Sequence, residues 1–516
     1  MPLPETSQPW PPKQLDGILA PLSRWSAWYA GTPEALQAAY GRAQGPLLDR
    51  PAQYRGGIQG VAARAFWGRP VGDLTQRRDQ LHVPIAADLC QASADLLFAE
   101  PPSITVTNTG TQNRIGELVD DGLHGKLAGA HEIGSALGGA YLRISWDEAT
   151  VPGRPFLTAL DADHAVPEFR WERLAAVTFW WKLADDNGVV LRHLERHEIR
   201  NGTGVILHGL YQGTGSELGR PVPLTDHPST AGLAELVDAD GAIDTGSPGL
   251  AVVYVPNQTP QRVWRQHPIG VNYGRSDLDG IEPLMDALDE TYSSLQRDIR
   301  LGKARVIVAR SLLENNGPGN GASFDMDQEL FAPVNTLAGV RDGGLPIEKV
   351  QFDIRVDQHL RAAQELTEVI LRSAGYSAQT FGEDPNGGAR TATEVDSRDK
   401  RSDRTRDRKI RNWRPGVQQV MTKLLLVDNA VFGKGNTVDG LAVAFPDTDQ
   451  ESPLQLAQTA QALGAARAAS TRVRVALVHP DWDDTQVQQE AARILAEDGM
   501  AVPDPIGDGE QVPSGA

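Results

Sequence analysis

The chain has 516 residues, 67 acidic against 49 basic, and a formal net charge of −18 at pH 7. That balance disfavours non-specific nucleic-acid binding over the whole surface, so any contact with DNA must be local or deliberately weak. The single cysteine, Cys90, excludes an intramolecular disulfide and a cysteine-rich zinc site.

A hydrophobic content of 40% with 22% charged residues is ordinary for a globular protein, and the length suggests roughly two to four domains. The start, MPLPETSQPWPPKQ, lacks the basic and apolar regions of a signal peptide. No run approaches the roughly 18 apolar residues of a membrane span, so a soluble protein is expected.

Residues 1–15 are proline-rich and are expected to be disordered or irregular. Residues 83–98 read as a helix ended by Pro101-Pro102, with Cys90 a small buried residue inside it. SITVTNT (103–109) alternates like a strand, and 113–139 looks helical with glycine interruptions. From 140 to 275 the pattern changes to short β runs: AYLRISWD, FLTALDADHAVPEF, AVTFWWKLADDNGVVLRHLERHEI, GVILHGLYQ and LAVVYVPN. Asp-Asn-Gly at 186–188 is a hairpin signal. The expected product is an N-terminal α+β domain over 16–275.

LDGIEPLMDALDETYSSLQRDIR (278–300) is the clearest helix, with Pro283 tolerable in its first turn. Ile281, Leu284, Met285, Leu288, Tyr292, Leu295 and Ile299 share one face. Asp279, Glu282, Asp286, Asp289 and Glu290 share an arc of about 100° opposite, with no cation interleaved. That stripe is either a solvated face or a wall that repels polyanions. Residues 301–355, with strand signals in ARVIVAR, ELFAPVN and VQFDIR around the loop ENNGPGNGAS, read as a small β-containing insertion. A second helix spans 356–375, its polar strip so narrow that packing between neighbours, including between subunits, is expected; Gly375 is its C-cap. A further helix starts at Thr391 or Thr393 and runs to about Trp413, where Pro415-Gly416 is expected to interrupt it. VQQVMTKLLLVDNAVF adds an apolar segment to 432. Two helical stretches follow, and PDPIGDGEQVPSGA at the end reads as disordered.

The chain has no P-loop, since VFGKGNT lacks the full spacing, and no HExxH or GxSxG. His193, Glu195 and His197 alternate along one strand and therefore share a face, which is a metal-site pattern or a polar, solvent-facing row; the row is the expectation. The aspartates of LDADHAVPEF and PDWDD are a hard-cation pattern or unorganised carboxylates. No catalytic constellation and no cofactor site emerges, so no enzyme activity is expected.

The densest basic segment is 390–414, with ten Lys or Arg against five acids. It is therefore +5, leaving −23 on the remainder. Glu394 with Arg398, Asp396 with Lys400, and Asp407 with Arg411 are i,i+4 pairs with the acid first, each worth about 0.2–0.5 kcal/mol. The segment is a self-paired exposed helix, or a surface for inter-subunit salt bridges or passing phosphates. No aromatic is interleaved before Trp413, which argues against base stacking.

Taken in order, these elements resemble the portal proteins of long-tailed double-stranded-DNA bacteriophages. HVPIAADLCQASADLLFAEPP (82–102), GRSDLDGIEPLMDALDETYSSL (274–295) and GARTATEVDSRDKRSDRT (388–405) look like stretches of actinobacteriophage portals. The resemblance implies an α+β portal fold: wing (16–275), stem helices (276–300 and 356–375), clip (301–355), tunnel loop (376–390), long channel-side helix (391–432), helical crown (445–500) and disordered tail (501–516). It implies a ring, usually of twelve subunits, at one capsid vertex of the virion, assembled in the host cytoplasm. Double-stranded DNA passes through it during packaging and ejection. The terminase large subunit and then the head–tail adaptor dock on it, with major capsid protein and scaffold as further partners and no membrane. Gln379, Gly382, Asn386, Gly387, Gly388 and Arg390 would be the DNA-facing loop, with Asn386 and Arg390 making transient phosphate contacts. Asp279, Glu282, Asp286, Asp289 and Glu290 would face the lumen and repel phosphates. Arg398, Arg401, Arg404, Asp403 and Asp407 would pair between subunits. The alternatives are another virion component, such as an adaptor or minor capsid protein, or a metal-dependent nuclease.

Overall fold

The computed structural model describes residues 3–4, 8–40, 81–301, 305–308, 314–315, 322–323, 347–350, 354–382, 392–446, 453–479 and 482–497. The chain divides into two compact units, Met1–Pro446 and Asp447–Ala516.

The first unit opens with helices α1 (Asp16–Ala30), α2 (Pro33–Tyr40), α3 (Ile85–Phe98), α4 (Thr109–Asp120) and α5 (Leu123–Leu137). Ile18, Leu22, Trp25 and Trp28 of α1 and Leu89 and Cys90 of α3 enter one core. Burial pushes the Cys90 thiol up to about 12, so it stays a neutral packing residue. Between α4 and α5 the chain turns at Gly122, whose φ of 88° splits the expected 113–139 helix in two.

Two sheets follow. Strands β2 (Gly139–Ser145), β3 (Phe156–Asp161) and β10 (Val252–Pro256) form a sheet in the order β10-β2-β3. Strands β4 (Ala165–Arg170), β5 (Arg173–Asp186), β6 (Val189–Arg200), β7 (Thr203–Gly213) and β8 (Arg220–Val222) form a second sheet in chain order. A sixth strand, β9 (Ala242–Pro248), also pairs with β7. Asp186 faces Val189 across a two-residue turn with φ 52° at Asn187 and 83° at Gly188, as the Asp-Asn-Gly signal predicts. A three-residue strand, β1 (Ser103–Thr105), pairs antiparallel with β15 (Ala442–Ala444). The four-residue helix α6 (Pro228–Ala231) lies between β8 and β9.

Next comes a helical pair, α7 (Glu282–Leu301) and α8 (Val356–Ala374). The chain between them carries β11 (Arg305–Val308) paired antiparallel with β14 (Ile347–Val350), and β12 (Glu314–Asn315) with β13 (Ala322–Ser323). The described part of the insertion expected at 301–355 thus carries strands, β11 within ARVIVAR and β14 ending on Val350, the first residue of VQFDIR; residues 351–353 and all of ELFAPVN lie outside the described residues. The first helix starts four residues later than its apolar spacing suggests, because Gly280 sits at φ 85°. Gly375, at φ 104°, caps the second as expected.

Helix α9 runs unbroken from Ala392 to Phe432, against the expected interruption at Pro415-Gly416. Packing overrides the proline. Trp413, Val417, Val420, Met421, Leu424 and Leu425 are buried in one core on both sides of it, while the Pro415 ring stands exposed. Gly416 lets the helix lie against β10, since a Cβ there would come within 2.6 Å of Val255 Cγ2.

The second unit contains α10 (Pro453–Ala465), α11 (Thr471–Val478) and α12 (Asp484–Glu497) around Val475, Val487 and Ala491. The expected disordered tail at 501–516 lies outside the described residues. No described helix is long and apolar enough to cross a membrane.

Candidate functional site

Four parts of the first unit converge on one buried ammonium. Lys409, on α9, is 1% exposed and its Nζ donates to Asp277 Oδ2 and to Ser93 Oγ, both at 2.5 Å, and to Tyr376 OH at 3.0 Å. The Tyr376 hydroxyl donates to Asp277 Oδ2 at 2.7 Å. Asp277 Oδ1 accepts from Asn257 Nδ2 and Gln258 Nε2, both at 2.8 Å. Ser93 Oγ lies 3.0 Å from His131 Nε2. A charge removed from water is stable only where partners replace its hydration, and every lobe of this pair is occupied. Burial pulls the Lys409 pKa below the ordinary lysine value, opposed by Asp277. Burial, then the Lys409 charge, pulls His131 well down. Burial, then Asp277, raises Tyr376. Asp277 precedes α7, Tyr376 follows α8, Ser93 lies on α3 and His131 on α5. The cluster therefore bolts both ends of the helical pair to α9 and to the N-terminal helices.

The segment leaving α8 is pinned to the same helix. Thr405 Oγ1 donates to Gly375 O at 2.7 Å, and Ser402 Oγ accepts from Ser377 N at 3.0 Å and meets Thr380 Oγ1 at 2.7 Å. Ser377 caps the turn Ala378–Phe381, and Gly382 closes it at φ 72°. Gln379 is half-buried and Gly382 exposed. The root of the predicted loop is thus fixed, whereas Asn386, Gly387, Gly388 and Arg390 lie outside the described residues.

The acidic stripe is not a wall of free carboxylates. Asp289 is buried; its Oδ2 meets His82 Nδ1 at 2.8 Å and its Oδ1 accepts from Val83 N at 2.9 Å. Glu282 accepts from Trp25 Nε1 and from Gly280 N, each at 2.8 Å. Asp279 is recessed, with Arg262 at 3.5 Å. Asp286 is half-buried, and burial, then Asp289 and Glu282, raises its pKa. Only Glu290 of the five is exposed, bonded to Ser294 at 3.0 Å. A helical wheel fixes the angle of a side chain and not what packs on it; here α1, the chain before α3 and the Arg262 loop cover the acidic arc.

The charged stretch of α9 also divides. Arg401, Arg404, Asp407, Arg408 and Arg411 are exposed, and Asp403 is half-buried. Among the described residues no ion pair joins Asp407 to Arg411, so that expected pairing is not formed. Arg406 is buried and donates to Leu96 O at 2.7 Å and Pro446 O at 2.6 Å. The side chains of Glu394, Asp396 and Arg398 lie outside the described residues.

The His193–Glu195–His197 row is buried, which corrects its reading as a solvent-facing strand face. Arg143 of β2 reaches across to Glu195 Oε2 at 2.6 Å, His197 Nε2 meets Glu195 Oε1 at 2.7 Å, and His193 Nε2 meets His208 Nδ1 at 3.2 Å. Burial, then His208, lowers His193 to about 4. Burial works to raise the Glu195 carboxyl, but Arg143 and the His197 hydrogen bond hold it far below the usual range. Asp161, Asp163 and His164 bring one ligand atom each within 4.8 Å of one another, with His164 Nδ1 engaged by Asp163 at 2.9 Å.

In the sequence Lys409 is one of the ten cations of 390–414, and nothing local marks Asp277 or Tyr376. The available signal was phase. Ser402, Arg406, Lys409 and Trp413 lie three or four residues apart, so the buried stripe of Trp413 and Val417 runs back through them.

The first unit thus joins a two-sheet α+β body, a helical pair with a strand insertion, a pinned loop root and a long helix. Residues 252–504 of the 516 match the family model described as phage portal protein, SPP1 Gp6-like, and on that match the chain is a phage portal protein. No curated protein matches the chain.

Proposed function

We propose that this protein forms a ring, twelve subunits in the usual case, at one vertex of the capsid, through which double-stranded DNA is packaged and later ejected. The insertion between α7 and α8 docks the terminase large subunit and then the head–tail adaptor, and major capsid protein and scaffold meet the ring from the capsid side. The observation that carries this reading is the family match over 252–504, which spans the helical pair, the insertion, the loop root and α9. The family is a structural one, so the energy for DNA movement comes from a separate motor. The bolt at Lys409 suits a machine that must hold its loop root against a moving polymer. Asn386 and Arg390 are proposed as transient phosphate contacts, weak by design, since every phosphate clamp is a barrier to sliding. From the acidic stripe, only Glu290 remains proposed as a lumen-facing repulsive charge. Arg398, Arg401, Arg404, Asp403 and Asp407 are proposed to pair between subunits.

The test is packaging. Capsids assembled with a variant lacking 383–390 should form rings yet fail to fill with DNA. Normal filling would refute the channel role of this loop.

A further inference from the structure

Above the buried Lys409–Asp277 pair lies a second polar assembly that is not self-sufficient. Gln258 is buried, and its Nε2 donates down to Asp277 Oδ1 at 2.8 Å. A carboxylate only accepts, so Asp277 dictates which end of the amide faces it and turns Oε1 outward. There Oε1 receives two guanidinium groups, Arg275 NH2 at 2.5 Å and Arg408 NH1 at 3.3 Å. Arg262 stands beside them, its NH2 3.5 Å from Asp279 Oδ2. Each guanidinium carries five donors, roughly fifteen in all, and they meet one amide oxygen and the edge of one carboxylate. Among the described residues Arg275 and Arg408 form no ion pair. Burial, then Arg262, and further Arg408, push the Arg275 pKa down, with Asp277 opposing. Guanidinium groups gathered with most of their donors unpaired suit an anion, which would relieve their mutual repulsion.

We propose that Arg262, Arg275 and Arg408, arranged by Gln258, form an oxyanion pocket that takes a carboxylate side chain from a second copy of this chain. The inference rests on the ring reading above and adds to it one specific contact. Three observations favour a carboxylate over a DNA phosphate. Arg275 is half-buried, so a single side chain reaches it more readily than a rigid duplex, which meets the exposed Arg401, Arg404 and Arg411 first. Asp279 borders the pocket, its Oδ2 3.5 Å from Arg262 NH2, and together with Glu282 beside it repels a polyanion. The chain also carries 67 acidic residues, so its surface offers carboxylates in excess.

The test is the assembly of Arg408→Glu and of Arg275→Gln, measured by mass photometry over a range of NaCl. Arg472→Glu, in the C-terminal unit, is the control. The ring association constant should fall at least tenfold for the two pocket variants and stay within twofold for the control, with the melting temperature of the dissociated subunit unchanged for Arg408→Glu. Wild-type assembly within twofold of both pocket variants overturns the proposal. A tenfold loss of affinity for a short DNA duplex with assembly intact also overturns it, and assigns the pocket to phosphate. A wild type that never assembles refutes the ring reading, and the pocket is then judged alone. Sodium glutarate should raise the melting temperature of wild type but not of Arg408→Glu over NaCl of equal ionic strength, and equal melting overturns the pocket too.

Discussion

Asp277→Asn should be among the most damaging single substitutions in the protein. The Asp277 and Lys409 side chains are 0% and 1% exposed. Replacing the carboxylate by an amide leaves the Lys409 ammonium buried with two hydroxyls, Ser93 and Tyr376, and no counter-charge. Removing one member of a buried pair costs about 3–5 kcal/mol. Lys409→Met is expected to cost less, because Asp277 still accepts from Asn257, Gln258 and Tyr376. The double variant Asp277→Asn/Lys409→Met removes both charges and should be more stable than Asp277→Asn alone by about 1–3 kcal/mol. The assay is urea unfolding followed by tryptophan fluorescence. Trp413 packs edge-on against His131 at 5.0 Å and so reports on this cluster. Single substitutions costing under about 1 kcal/mol, or additive effects in the double variant, would refute the bolt.

Acid should destabilise the fold through the His193–His208 pair. The folded pKa of His193, about 4, lies below its ordinary value, so its contribution is complete above about 6.5 and is lost as pH falls toward 4. One such group supplies up to about 3 kcal/mol over that window, and His193→Phe should flatten melting temperature against pH between 7 and 5; an unchanged slope contradicts this. Gly416→Ala places a Cβ within 2.6 Å of Val255 Cγ2 and should cost about 1–3 kcal/mol in chemical denaturation. Pro415→Ala, at an exposed position in α9, should stabilise by up to about 3 kcal/mol as the missing donor returns to the helix; a loss of stability would show that the ring fits a bend the fold requires.

Much of the fold was legible in the sequence because local rules and tertiary packing agree. The Asp-Asn-Gly turn, the Gly375 cap and the apolar face of α7 each fix backbone geometry within a few residues. The failures share a cause. Pro415 reads as a stop until the core on both sides of it is counted. The His193 row reads as polar surface because one strand does not reveal that a second sheet, through Arg143, covers it. The acidic stripe has the right angular position and the wrong environment, since Trp25 and residues 82–83 approach it from over 200 positions away. The site was legible as an order of elements and not as contacts: the Lys409 cluster joins residues 93, 131, 277, 376 and 409, and no local window contains it.

The central claim is tested most directly by native mass spectrometry of the purified protein together with negative-stain images. Twelve copies of a 55.7 kDa chain give a ring of about 670 kDa with a central hole, and this is the predicted result. A species that stays at 55.7 kDa, with or without scaffold and major capsid protein present, would contradict the account.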